Sequence, residues 1–150
     1  MKRFFWIILI AVIIVIQLIP SGRPEAMEKN PGDLLLSVNV SDSVAQMLKT
    51  SCYDCHSNQT GYPWYAYVAP VSWLVTRDVK LGRESLNFSN WEDAGKMQKA
   101  KFLSNIVDEV EGKEMPMRIY TIMHPRAKLS EAERQALVDW ANTYGESLFE

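Results

Sequence analysis

Apolar residues fill the N-terminal part of the chain almost without interruption. Residues 4–19 read FFWIILIAVIIVIQLI, in which Gln17 is the only polar residue, and the basic pair Lys2 and Arg3 precedes them. The run predicts a helix over residues 1–19 that exports or anchors the chain, although its length of roughly 24 Å is less than a hydrocarbon core of about 30 Å. No small-residue cleavage site follows, and PSGRP at residues 20–24 favours an uncleaved transmembrane signal-anchor over a cleaved signal peptide or a buried core helix.

The rest of the pattern predicts a linker and one all-α domain. Residues 20–33 combine proline, glycine and charge without an apolar period, which is typical of a linker. Residues 34–150 show helical rather than alternating apolar spacing, which predicts the domain. The first predicted element of the domain is a short helix capped by Ser41 or Ser43, which is followed by an irregular segment at 57–70. Two helices are predicted next, at 71–81 (interrupted by Gly82) and at 91–110, and then a structured loop at 113–129. The last predicted helix begins at the capping box of Ser130 and Glu133 and ends at Gly145.

The composition excludes several classes of protein. A length of 150 residues with 23% charged residues suits one folded domain rather than a disordered chain. The chain has 16 Lys and Arg against 18 Asp and Glu, a formal net charge of -2. It therefore has no basic excess with which to neutralise phosphates, and no nucleic-acid partner is expected.

Both cysteines of the chain, Cys52 and Cys55, belong to a C-x-x-C-H motif that ends in His56. This spacing is the attachment signature of c-type haem. Two thiols three positions apart form thioethers to the two vinyl groups of one porphyrin, and the next imidazole reaches the iron. The motif predicts one covalent haem c, with His56 as the proximal iron ligand. Asp54, between the cysteines, is expected to be exposed.

Three other uses of these residues stay open as alternatives. In an oxidising compartment, Cys52 and Cys55 could form a disulfide with a short loop. A thioredoxin-type dithiol needs a βαβ context, whereas the local pattern is helical. A zinc site would use Cys52, Cys55, His56 and His124, but His124 is isolated and lacks a paired-ligand spacing. Export through the N-terminal segment agrees with haem attachment, which takes place outside the cytoplasm.

Six short segments together resemble a known family. They are SCYDCHSN at 51–58, YPWY at 62–65, APVSW at 69–73, LNFSNW at 86–91, EMP at 114–116 and HPRAKLS at 124–130. The sequence is similar there to the small bacterial haem-binding domain family of c-type cytochromes, whose members are typically membrane-anchored or exported. The resemblance covers roughly residues 34–141. It implies haem binding and a cytochrome c-like helical fold, without a defined physiological reaction.

A sixth iron ligand must come from a second segment. Met115 is the preferred candidate, because Pro116 restricts it to extended backbone and it lies in the loop where cytochrome c-like proteins bring a methionine to the iron. Met117 and His124 lie in the same predicted loop and stay open as alternatives, as does an open or water-bound site.

The expected function is single-electron transfer between redox protein partners. The protein is predicted to be a monohaem c-type cytochrome attached to the inner membrane, with its domain in the periplasm, or exported if the N-terminal segment is cleaved. The alternative is a haem-based gas or redox sensor with an open or displaceable sixth site. An enzyme is not expected, since a peroxidase would need a distal acid-base residue and nothing marks His124 for that role.

Overall fold

The computed structural model describes residues 2–28 and 30–150, and over those residues the chain forms eight α-helices, three short 3-10 helices and no strand. The prediction of an all-α chain is confirmed. Met1 of the predicted N-terminal segment and Lys29 of the predicted linker lie outside the described residues. The α-helices are α1 (Lys2–Gln17), α2 (Leu34–Ser37), α3 (Asp42–Ser51), α4 (Tyr53–His56), α5 (Val71–Ser85), α6 (Lys96–Glu111), α7 (Arg118–Met123) and α8 (Glu131–Ser147).

The N-terminal apolar run forms α1, but the prediction of a transmembrane helix is not supported. α1 has 16 residues. Among residues 2–28 and 30–150, no helix is both long and apolar enough to cross a membrane. The rest of the chain buries none of the residues of α1.

Two helices begin at the caps that the sequence predicts. The Ser41 hydroxyl accepts a hydrogen bond from the N–H of Val44 at the start of α3. Ser130 and Glu133 form a complete capping box at the start of α8, in which the Glu133 carboxylate accepts from the N–H of Ser130 at 2.7 Å. Each cap satisfies backbone donors that have no partner within the helix.

Two glycines that the sequence marks as helix ends lie inside helices instead, so both predicted ends are wrong. α8 continues through Gly145, because Tyr144 and Leu148 pack against the core and offset the cost of a helical glycine, about 1 kcal/mol. α5 continues through Gly82, where the backbone of Cys55 approaches the helix closely and leaves no room for a side chain.

Two further predictions of local structure are wrong. Trp91 is expected to begin a helix, but it lies fully buried in a 3-10 helix (Phe88–Asp93), and α6 begins at Lys96. The predicted loop at 113–129 contains α7 and a 3-10 helix (Pro125–Ala127). α7 has only six residues, too few to show a helical period in the sequence.

The hydrophobic core connects the helices to the C-x-x-C-H motif. α6 packs along α8, and α4 packs against α5. The ring of Tyr53 in the motif stacks on Phe88 with centroids 5.1 Å apart, which connects α4 to the core. The buried members of the core are Leu34, Val44, Met47, Leu48, Tyr53, Leu86, Phe88, Trp91, Leu103, Leu129, Leu137 and Ala141.

Asp33 is a buried carboxylate that fixes the position of the motif. It is 1% exposed. It accepts hydrogen bonds from the Tyr53 hydroxyl at 2.8 Å, the Leu35 N–H at 3.0 Å, the Gln59 amide at 3.0 Å and the Ser89 hydroxyl at 3.3 Å. These four donors offset the cost of removing a carboxylate from water. Asp33 thereby ties α4 to α2 and to the segment before α6.

The segment between α1 and α2 lies against the domain. The Arg23 guanidinium donates to the Ala66 carbonyl oxygen at 3.1 Å and lies 3.9 Å from the ring centroid of Tyr67. The Tyr62 hydroxyl donates to the carbonyl oxygen of Pro24 at 2.7 Å. These contacts hold the segment beside the aromatic residues of the 62–67 region.

Candidate functional site

The C-x-x-C-H motif forms a single helical turn. Cys52 is the residue at which α3 ends and α4 begins. Its carbonyl oxygen accepts hydrogen bonds from the N–H of Cys55 at 3.1 Å and the N–H of His56 at 2.9 Å. Because residues three apart in a helix share a face, the turn brings Cys52 and Cys55 to neighbouring positions. Both cysteines are free thiols.

Gly82 allows α5 to lie directly against this turn. A Cβ atom at Gly82 would stand 2.6 Å from the carbonyl oxygen of Cys55 and 3.0 Å from its carbonyl carbon. Any side chain would therefore push the helix and the turn apart. The absence of a side chain at Gly82 sets the distance between α5 and Cys55.

The backbone holds the His56 ring in one orientation. Nδ1 of His56 lies 3.2 Å from the carbonyl oxygen of Leu86, the residue that follows α5. A carbonyl oxygen only accepts, so the proton of the neutral ring is assigned to Nδ1, and the lone pair is on Nε2. Burial lowers the pKa of His56. The neutral imidazole that metal ligation requires is thereby favoured.

Burial raises the pKa of both thiols. The pKa of Cys52 rises to about 12, through burial and then through the neighbouring Cys55. The pKa of Cys55 rises to about 12, through burial and then through the carboxylates of Asp54 and Asp78. Both side chains are protonated at neutral pH. A redox-active dithiol needs a lowered thiol pKa, so the electrostatics disfavour that alternative.

An apolar cavity of about 400 Å³ opens beside the motif turn. Cys55 forms part of its wall, whereas Cys52 and His56 lie outside that wall. Its volume falls within the range of about 300–1,000 Å³ that is common for cofactor sites. The wall includes four aromatic residues (Tyr62, Trp64, Tyr65 and Tyr120) and four aliphatic residues of α5 (Val71, Leu74, Val75 and Val79).

The candidates for a sixth ligand occupy different places. Met117 and His124 line the cavity, whereas Met115 lies outside its wall. The N–H of Met115 donates to the carbonyl oxygen of Glu109 at 3.1 Å, and its own carbonyl oxygen accepts from Arg134 at 2.9 Å. The backbone of Met115 is thus fixed against the end of α6 and the start of α8.

His124 belongs to a polar cluster in the cavity wall. Its Nε2 lies 2.6 Å from the Tyr65 hydroxyl, and its ring stacks on Tyr120 with centroids 4.4 Å apart. The Tyr120 hydroxyl donates to the carboxylate of Asp54 at 2.7 Å, and the Gly61 N–H donates to the same carboxylate at 2.9 Å. Asp54 is partly buried. The expectation that it is exposed is therefore wrong.

Sequence reasoning missed three residues that shape the site. Gly82 had a usable signal, since an isolated glycine within a helical pattern often marks a close approach. Asp54 lies within the motif, but nothing in the sequence indicates which groups donate hydrogen bonds to its carboxylate. Tyr120 had no signal, because its partner Asp54 is 66 positions away in the chain.

Comparisons with known proteins give two matches. Residues 11–143 match the family model described as a haem-binding domain. The curated cytochrome c peroxidase Ccp of Escherichia coli (strain K12) is 29% identical over 92 residues, which are 59% of this chain. The chain spans only 20% of the length of that relative. No solved structure matches the chain.

Proposed function

This chain belongs to the haem-binding domain family, and we propose on that basis that it is a monohaem c-type cytochrome that carries single electrons. Cys52 and Cys55 bind one haem through thioethers, and His56 is the proximal iron ligand. The family membership confirms the resemblance noted in the sequence. The observation that carries the proposal is the position of the C-x-x-C-H turn at the edge of an apolar cavity, with Cys55 in the cavity wall.

The residues of the site fit a haem. Aromatic and aliphatic side chains line a cavity whose wall includes Cys55, one of the two motif cysteines. The Nδ1 atom of His56 lies within hydrogen-bonding distance of the Leu86 carbonyl oxygen, which leaves Nε2 as the ligating atom. Bound haem supplies a one-electron Fe(III)/Fe(II) couple. The chain contributes covalent attachment, orientation of the imidazole and exclusion of water by the cavity wall.

The proposed location is the periplasmic face of the inner membrane. Haem attachment to C-x-x-C-H takes place outside the cytoplasm, and an apolar run preceded by Lys2 and Arg3 is typical of an export segment. Attachment through α1 would keep the haem domain near its partners. Those partners are redox proteins rather than nucleic acids, since the formal net charge is -2.

An electron carrier is preferred to an enzyme. The relative from Escherichia coli is named a peroxidase, but the chain spans only 20% of its length. Peroxide chemistry requires a distal acid-base residue beside an open iron position. The His124 imidazole in the cavity wall already forms a hydrogen bond with Tyr65 at 2.6 Å.

Met117 is proposed as the sixth ligand, in place of Met115. Met117 lies at the start of α7 and lines the cavity, whereas Met115 lies outside the cavity wall. His124 is the weaker candidate because Nε2 is engaged with Tyr65. A thioether ligand stabilises ferrous iron and raises the reduction potential relative to two imidazole ligands.

The optical spectrum of the haem-loaded protein tests this ligand. We expect a low-spin ferric spectrum with the weak far-red band of sulfur ligation. The Met117→Ala protein is expected to lose that band and become high-spin, because Met123, the other methionine in the cavity wall, lies at the far end of α7 from Met117. Met115→Ala is the matched control and is expected to keep the band. Loss of the band in Met115→Ala with retention in Met117→Ala would reverse the assignment.

A haem-based sensor with an open or displaceable sixth site is the second candidate function. The observation that favours it is the pair of polar groups in the cavity wall, the Tyr65 hydroxyl and the His124 imidazole. Polar groups on the distal side help to decide whether small molecules bind to haem iron. Rapid carbon monoxide binding by the ferrous protein, without loss of a ligand, would support the sensor. Inertness towards carbon monoxide would support the electron carrier.

A further inference from the structure

We propose that α1 and the loop at residues 67–70 form one continuous lipid-binding face, and that Gln17 links the two parts. The inference rests on the proposed attachment of the protein to a membrane. Beyond attachment, it identifies the face of the haem domain that contacts the lipid surface.

From Phe4 to Ile16, α1 is apolar on every side. Gln17 is the only polar residue between positions 4 and 19, and no residue of α1 is buried by the described part of the chain. Phe4, near the start of α1, is 72% exposed, and Leu18, just beyond its end, is 78% exposed. A helix that docks in a protein groove presents one apolar stripe, whereas a helix that is apolar all round suits a lipid environment. Lipid is therefore the occupant that fits α1.

Gln17 connects the end of α1 to the haem domain. Its side-chain Nε2 donates to the carbonyl oxygen of Ala69 at 3.1 Å, and its Oε1 accepts from the N–H of Ala69 at 2.9 Å. Nε2 also donates to the carbonyl oxygen of Ile13 at 3.0 Å. The Gln17 carboxamide and the backbone N–H and carbonyl groups of Ala69 thus form hydrogen bonds with each other. The cost of bringing these polar groups next to lipid is reduced accordingly.

The residues around Ala69 continue the apolar surface. Tyr67 is 60% exposed, Val68 is 43% exposed, and Pro70 is also exposed. Tyrosine is enriched at the boundary between lipid and water. The Arg23 guanidinium lies over the Tyr67 ring, where a basic group suits anionic headgroups. The loop therefore has the chemistry of an interfacial contact.

This face adjoins the candidate haem cavity. The 67–70 loop joins the 3-10 helix Trp64–Tyr67 to α5, and Trp64 and Val71 on either side of the loop line the cavity. Lipid contact at Val68 would hold this edge of the cavity close to the membrane plane. The bound haem would then face partners that lie in or on the same membrane.

The test uses the full haem-loaded chain in vesicles of phosphatidylcholine and phosphatidylglycerol. A benzophenone label is attached to the Val68→Cys protein and, as the matched control, to the Met97→Cys protein. Met97 is an apolar residue near the start of α6 and is 75% exposed. On illumination we expect lipid adducts from Val68→Cys and none from Met97→Cys, measured by mass spectrometry of the intact protein.

A second variant tests the link itself. Adding Gln17→Ala to Val68→Cys is expected to leave the protein bound to vesicles through α1 and to reduce the lipid adduct severalfold, because the loop is released. An unchanged adduct would overturn the role of Gln17. A bound Val68→Cys protein without lipid adduct, or one crosslinked to a second protein chain, would overturn the lipid-binding loop while membrane attachment stands. Failure of the protein to bind vesicles would overturn both the membrane attachment and the lipid-binding loop. The haem absorbance of the same sample tests the proposed cytochrome separately.

Discussion

The Gly82→Ala protein is expected to be less stable than the unmodified protein by about 1–3 kcal/mol and to acquire less covalent haem during maturation. The added Cβ would stand 2.6 Å from the carbonyl oxygen of Cys55. That oxygen belongs to the backbone and has no rotamer into which it can move. α5 must therefore shift away from the motif turn, and Leu86, whose carbonyl oxygen orients His56, follows α5 directly. Urea unfolding and haem absorbance per protein measure the two effects.

Gly145→Ala is the matched control, since Gly145 also lies near the end of a long helix. An added Cβ there would meet only a methyl carbon of Leu103, at 3.8 Å, which is an ordinary contact. Replacing a helical glycine by alanine then stabilises the protein, by roughly 0.5–1 kcal/mol. The two substitutions are expected to have opposite signs. Equal stability of Gly82→Ala and Gly145→Ala would show that α5 does not approach the motif as closely as described.

Replacing His56 with alanine is expected to convert the low-spin ferric spectrum to a high-spin one. The two proposed thioethers would keep the haem attached, but the proposed proximal ligand would be lost. No other imidazole is positioned to replace it, since His124 lies in the cavity wall and is hydrogen-bonded to Tyr65.

His124→Ala is the control for this substitution. It removes the other histidine of the chain and is expected to leave a low-spin spectrum with its far-red band. If His124→Ala instead becomes high-spin, both histidines ligate the iron, and the sulfur assignment to Met117 is wrong. An unchanged spectrum in His56→Ala would remove the basis for His56 as the proximal ligand.

The sequence was informative wherever function or local structure depends on neighbours in the chain. The C-x-x-C-H spacing and the resemblance to the family depend on short segments, and the family is confirmed. The capping box of Ser130 and Glu133 depends on residues three apart, and it forms as predicted. Helical periods marked α3, α5 and most of α6 for the same reason.

The sequence was uninformative where partners are distant. The Asp33 carboxylate accepts a hydrogen bond from the Tyr53 hydroxyl, 20 positions later in the chain. The Asp54 carboxylate accepts one from the Tyr120 hydroxyl, 66 positions later. An isolated glycine at position 82 can indicate a close approach, but the sequence does not show that Cys55 is the residue it approaches. Met115 and Met117 are two residues apart and look equivalent in sequence, yet only Met117 lines the cavity. Which side chain faces a site depends on the path of the backbone.

Covalent haem attachment is tested by the intact mass of the protein after maturation with the haem-ligation machinery and complete denaturation. We expect the mass to exceed that of the polypeptide by one haem, and we expect a Cys52→Ala, Cys55→Ala double variant to lack the increment. A denatured protein with the mass of the bare polypeptide would contradict covalent attachment through Cys52 and Cys55.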